Sequence, residues 1–242
     1  MRIAHITDIH ATPDNGNLGR LRRVIRWLES LAPDLLVVTG DLVDDGWYEG
    51  YAIVEAELMR AQCRLLMLPG NADSREAMRH VWQETMRWPL CGALHFSDVI
   101  NGVPVIGIDT TLPGETRGDI APHLTWLTEK LAGFTQPALI FTHHHLFHCG
   151  IAPIDEVMCG GEAAFWQVIA GNPVAPLAVC SGHVHRSMST TISGVPVYIC
   201  GSICPANPLW LDESRIPPVT DPAGLMIYDL RGGGLVASQV SV

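Results

Sequence analysis

Eight short apolar runs recur along the 242-residue chain, at 1–7, 35–39, 65–68, 103–108, 138–142, 177–181, 195–200 and 225–230. Each has the length of a buried strand, and several lack the polar alternation of a strand with one wet face. Helical periodicity fills the early gaps. Leu21, Val24, Ile25, Leu28 and Leu31 fall three and four apart within 18–32, with Arg22, Arg23, Arg26 and Glu29 on the other faces. The segments 51–61, 76–85 and 122–131 read as further helices. Strand, helix, strand, helix, strand predicts an α/β fold in which crossovers join parallel strands. Later runs are separated by turns at 193–196 and 231–234, which predicts antiparallel pairing in the last third. There is no internal repeat, low-complexity tract or linker, so residues 1–242 read as a single domain. The proline-rich stretch 205–222 reads as a surface excursion.

Composition narrows the function. The chain is 48% hydrophobic, enough to bury a core, and its 25 acidic against 15 basic residues give a formal charge of −10. That balance argues against nucleic acid as a partner, and an anionic substrate would need local positive charge. Seven scattered cysteines read as reduced thiols, and the Cys200/Cys204 pair has no second thiol pair to complete a zinc site. The first residues lack the apolar stretch of a signal peptide, and no run approaches the ~18 apolar residues of a membrane span. A soluble, cytoplasmic protein with no membrane association is therefore expected.

Metal-binding residue types gather where the apolar runs stop, the place where open α/β sheets present ligands. The first run ends in Asp8-Ile9-His10, the second in Thr39-Gly40-Asp41 and the third in Gly70-Asn71-Ala72-Asp73. The fifth ends in His143-His144-His145, and the sixth in Gly182-His183-Val184-His185. Residues two apart in extended chain point the same way, so Asp8 with His10, or His183 with His185, can reach one ion. Gly-Asp or Gly-Asn alone reads as a turn. The joint order of five such strand ends is what carries weight. Nitrogen and oxygen donors without thiolate suit Mn, Fe, Zn, Co or Ni.

In that order the sequence resembles the calcineurin-like metallophosphoesterase superfamily, whose pattern runs D-x-H, G-D, G-N-H-D/E, H and G-H-x-H. The resemblance spans about residues 3–186, and is nearest to the bacterial cyclic-nucleotide and glycerophosphodiester phosphodiesterase branch. It implies a β-sandwich of two mixed sheets flanked by helices, and two divalent metal ions (Mn, Fe or Zn). Asp8, His10, Asp41 and His185 would hold the first ion; Asp41, Asn71, His143 and His183 would hold the second. The implied activity is hydrolysis of a small soluble phosphodiester, such as a cyclic nucleotide, by direct attack of a metal-bound hydroxide. Phosphomonoester hydrolysis on the same centre is the nearest alternative, and a metal-binding scaffold with little turnover is another. A homodimer is among the assemblies that the resemblance allows.

One position departs from the pattern. The histidine expected after Asn71 is Ala72, so an outer catalytic group is missing. Asp73, His144, His145 and His148 are the candidates to replace it. Arg75 and Arg186 are candidates for contacting a phosphate oxygen through their forked donors. Trp47, Tyr48, Tyr51 and Trp210 could line a pocket, with core packing the competing reading. His5 is expected to form an internal hydrogen bond. His80, His95 and His123 are expected to be solvated.

Overall fold

A computed structural model describes residues 1–44, 46–212, 215–232 and 234–242. The chain runs β1 (Arg2–Ile6), α1 (Asn17–Leu31), β2 (Leu35–Val38), α2 (Gly50–Leu58), β3 (Arg64–Met67), α3 (Arg75–Val81), β4 (Phe96–Ile100) and β5 (Val103–Ile108). It continues through β6 (Gly118–Asp119), α4 (Leu124–Ala132), β7 (Leu139–Thr142), α5 (Ala152–Asp155), β8 (Cys159–Gly160) and α6 (Glu162–Gly171). The last strands are β9 (Ala178–Ser181), β10 (Met188–Ile192), β11 (Val195–Ile199), β12 (Gly224–Arg231) and β13 (Gly234–Ser241). Two large mixed sheets result, ordered β13-β12-β1-β2-β3 and β10-β11-β9-β7-β5-β4. Strands β1, β2 and β3 are mutually parallel, as are β5, β7, β9 and β11, whereas β4, β10, β12 and β13 pair antiparallel.

Side-chain alternation assigns each strand of the second sheet to two cores. Val105, Leu139, Phe141, Ala178 and Cys180 face the first sheet and join its central cluster. Their neighbours Ile106, Ile108, Ile140 and Val179 face outward onto Leu127, Leu131, Phe165 and Ile169 of α4 and α6. Helix α1 covers the outer face of the first sheet through Leu21, Val24, Ile25 and Leu28, the stripe read from the sequence. His5 lies between the sheets, with its Nε2 2.8 Å from the Thr39 hydroxyl and its ring stacked on Tyr228.

The eight strand-length runs all become strands, and the antiparallel turn at 193–196 joins β10 to β11. Residues Glu213 and Ser214 of the excursion, and Gly233 of the turn at 231–234, lie outside the described residues. One expectation is corrected. His95 and His123 are half-buried and paired rather than freely solvated: His95 stacks on Trp126 at 4.5 Å, and its Nε2 lies 3.1 Å from His123 Nδ1.

Parallel strands place their C-terminal ends along one rim. The ends of β1, β2 and β3 meet the ends of β7 and β9 there, which brings the five motifs together.

Candidate metal centre

At this rim the backbone leaves regular strand geometry. Asp8, His10, Asp41, His183 and His185 all have positive φ, between 48° and 68°. Such conformations cost roughly 1–3 kcal/mol each in side chains other than glycine, and they concentrate where function requires a particular direction. The glycines allow the motifs to approach. A Cβ on Gly70 would lie 2.7 Å from Asp41 Cγ, and one on Gly182 would lie 2.8 Å from Asp8 Oδ2.

Two groups of donors meet at Asp41. His10 Nε2 lies 3.3 Å from Asp41 Oδ2, 3.1 Å from His185 Nε2 and 3.9 Å from Asp8 Oδ1. His185 Nε2 is 3.2 Å from Asp8 Oδ1. On the other side of Asp41 Oδ2, His143 Nε2 lies 3.4 Å from that oxygen, 3.1 Å from Asn71 Oδ1 and 3.2 Å from His183 Nδ1. These spacings match the edges of a coordination polyhedron, about 3.0–3.4 Å for bonds of about 2.1 Å.

The hydrogen bonds behind the rings fix which nitrogen faces inward. His143 Nδ1 donates to the Thr39 carbonyl at 2.6 Å, and His10 Nδ1 donates to Asp44 Oδ1 at 2.7 Å. His185 Nδ1 sits 3.3 Å from Cys204 Sγ. In His143 and His10 the Nε2 therefore turns a lone pair toward other lone pairs, an arrangement that a cation satisfies. Asp8 Oδ1 is buried with no hydrogen-bond partner. The carboxylates also favour positive charge on three of the rings. Burial works to lower His10, yet Asp41 and Asp44 outweigh it and hold the ring at about 12. In the same way Asp8 raises His185 to about 10, and Asp41 raises His143 to about 9. Burial, with His143 nearby, takes His183 down to about 3.

The other candidates are placed differently. Asp73 faces inward: its carboxylate accepts from Gly70 N at 2.9 Å, Leu42 N at 3.0 Å and the Tyr51 hydroxyl at 3.1 Å. Burial and the charge on Asp41 raise it to about 7. His144 packs behind His143 and His183, with Nε2 donating to the Thr116 carbonyl and Nδ1 accepting from the Thr110 hydroxyl. His145 stacks on His183, with ring centroids 5.6 Å apart. Ala72 is exposed, and its amide donates to Asp41 Oδ1 at 2.8 Å.

Both arginines border the centre with donors already engaged. Arg75 forks onto Asp109 at 2.6 and 3.0 Å, and lines a 230 Å³ cleft with Asn71, Ser74 and Thr111. Arg186 contacts the Asn207 carbonyl and Asp221, beside His185. Tyr51 belongs to the core, edge-on to Trp82, while Tyr48 is exposed. Asp44 and Cys204 were not singled out from the sequence as partners of the centre. Both reach it through loops, and only a donor near a ligand-bearing strand end hinted at them.

The fold and this cluster define a metallophosphoesterase, and a direct comparison agrees. The chain belongs to the calcineurin-like phosphoesterase family, whose model matches residues 1–187. It is similar to the cAMP/cGMP dual specificity phosphodiesterase of Mycobacterium tuberculosis, at 30% identity over 84% of this chain and 67% of that one. A probable cyclic nucleotide phosphodiesterase of a Synechococcus strain is 28% identical over 99% of this chain and 91% of its own. A probable glycerophosphodiester phosphodiesterase of Arcobacter nitrofigilis is 27% identical over 81% and 73%. Among solved structures, a dimetal phosphatase from Danio rerio shares the fold with a TM-score of 0.77 at 14% identity, covering 100% of this chain and 96% of that one.

Proposed function

We propose that this protein is a binuclear metal-dependent phosphodiesterase acting on a small soluble phosphodiester, with cyclic nucleotides as the leading substrate class. The observation that carries the reading is Asp41 Oδ2, flanked by His10 Nε2 at 3.3 Å and His143 Nε2 at 3.4 Å. Asp8, His10, Asp41 and His185 would hold one divalent ion, and Asp41, Asn71, His143 and His183 the other. When bound, such ions supply Lewis acidity and lower the pKa of water toward neutrality. The names of the cyclic nucleotide phosphodiesterase relatives support the substrate class.

The chain's own residues orient and restrain. The Thr39 carbonyl and Asp44 hold the His143 and His10 rings with their lone pairs inward, and Cys204 backs the His185 ring. Asp73 ties the turn after β3 to the turn after β2, which keeps Asn71 against His143. The cleft beside Asn71 would receive the ester, and Arg75 and Arg186 would add positive charge at the rim. With Ala72 in place of a histidine, no imidazole stands after Asn71 to protonate the departing oxygen. Esters with good leaving groups are favoured accordingly.

The test is a rate comparison of cyclic AMP, cyclic GMP, a glycerophosphodiester, a bis-aryl phosphate and an aryl monoester, with Mn, Fe or Zn supplied in turn. Hydrolysis of a cyclic nucleotide or another diester above the monoester is expected. A clear monoester preference replaces the reading with the phosphatase alternative, and metal binding without turnover of any ester replaces it with a scaffold.

A further inference from the structure

The loop after β7 carries a second set of donors that the Asp41 centre does not use. His145 is fully buried, and neither of its ring nitrogens has a hydrogen-bond partner. A buried polar group left unpaired costs roughly 1–3 kcal/mol, so this ring is placed for something. Its Nε2 lies 3.5 Å from Asp155 Oδ1, and Cys149 completes a trio whose ligand atoms all fall within 4.8 Å of one another. The loop is built around Asp155, whose carboxylate accepts Cys149 N at 2.7 Å and Gly150 N at 3.0 Å. His148, largely exposed, stands at the mouth with Nδ1 3.8 Å from Asp155 Oδ2.

We propose that His145, Cys149 and Asp155 form a further metal site, separate from the Asp41 centre, that takes a single zinc-class cation with His148 or water as the fourth ligand. One imidazole, one thiolate and one carboxylate make a borderline donor set, which suits zinc rather than the oxygen-seeking magnesium or calcium. The 3.5 Å nitrogen-to-oxygen spacing is close to a tetrahedral edge, about 3.4 Å for bonds of about 2.1 Å. A nucleophilic Cys–His–Asp arrangement does not fit, because burial pushes the Cys149 thiol up to about 11 and a nucleophile needs the opposite shift. A bound cation would displace that proton. It would also close the loop from 145 to 155 and fix the ring that lies against His183, so it would brace the neighbouring centre without sharing a ligand with it.

The experiment uses the full chain, stripped of metal and reloaded with cobalt(II), reading metal content and the optical spectrum. Wild type is expected to bind one more cobalt per chain than Cys149→Ser and to show a thiolate-to-cobalt charge-transfer band that Cys149→Ser lacks. Cys204→Ser, which alters the thiol beside His185, is expected to keep the band. His145→Gln is the second variant and is expected to lose the same single equivalent while melting cooperatively. The proposal is overturned if wild type shows no thiolate band, if the band survives Cys149→Ser, or if it vanishes in Cys204→Ser instead. Phosphoester hydrolysis is measured separately, so a wild type that hydrolyses esters yet shows no thiolate band strikes this inference alone.

Discussion

Gly182→Ala is the sharpest probe of how the rim is assembled. A Cβ at this position would lie 2.9 Å from Thr7 Cβ and 2.8 Å from Asp8 Oδ2, with Thr7 Oγ1 nearer still. Rotating Thr7 does not relieve the clash, since its Cβ is fixed by the strand. Ordinary contact begins at 3.4 Å, so the ends of β1 and β9 must separate by 3.4 − 2.9 = 0.5 Å or more. Metal sites tolerate about 0.2 Å. The shift also pulls on the 2.9 Å bond from His183 N to Asp8 Oδ2. Overpacking costs about 1–3 kcal/mol and a strained bond to a carboxylate adds to it. A total of about 3 kcal/mol lowers the melting temperature by about 6–12 °C in a chain of this length. Metal affinity is expected to fall about 10–100-fold, as it does when a ligand's support is disturbed. Thermal unfolding with and without added manganese, and metal content after gel filtration, read both effects. Gly19→Ala is the control: it sits in α1 with nothing within 4 Å of the added carbon, and should gain about 1 kcal/mol. Wild-type melting and metal content in Gly182→Ala would refute the reasoning.

Three more outcomes are expected. Arg75→Ala removes the counter-charge of the buried Asp109 carboxylate, leaving it only the neutral donors of Leu94 and Thr111, and should cost about 3 kcal/mol by denaturant unfolding, whereas breaking the exposed Arg117–Glu115 pair should cost about 0–1 kcal/mol. Burial depresses His5 to about 3, so between about 3 and 6.5 the unfolded chain takes up a proton that the folded chain refuses. Its contribution is fully present above 6.5 and is lost as pH falls, by about 1.4 kcal/mol per pH unit; His5→Gln should flatten the measured slope by one proton. Ala72→His restores an imidazole beside Asn71 and is expected to raise turnover on alkyl esters by about 10²-fold or more, and on aryl esters far less. Equal gains on both would count against an acid role for that position.

The parallel half of the fold was legible because β1, β2, β3, β5, β7 and β9 are buried runs with little polar interruption. The edge strands β4, β10 and β13 were not. In β10 and β13 most residues are polar or exposed, and pairing rather than burial defines them. Helix α6, with the sequence EAAFWQVIAG, has so little polar face that its period cannot be read, although Phe165 and Ile169 pack four apart. The clustering of the candidate ligand residues was legible because strand-end motifs declare themselves in a fixed order. Their supports were not, since the Thr39 carbonyl, Asp44 and Cys204 act through tertiary approach that no spacing encodes. The same holds for His95, which stacks on Trp126 of another element, and for His123, which meets His95 edge-on.

The proposed ligands are divided between the layers: Asp8, His10, Asp41 and Asn71 stand at the ends of one sheet, and His143, His183 and His185 at the ends of the other. A cation pair lodged there would act as a rivet through both halves of the sandwich. Sliding one layer over its companion would loosen the ions before any strand came apart, so metal release should announce melting rather than follow it.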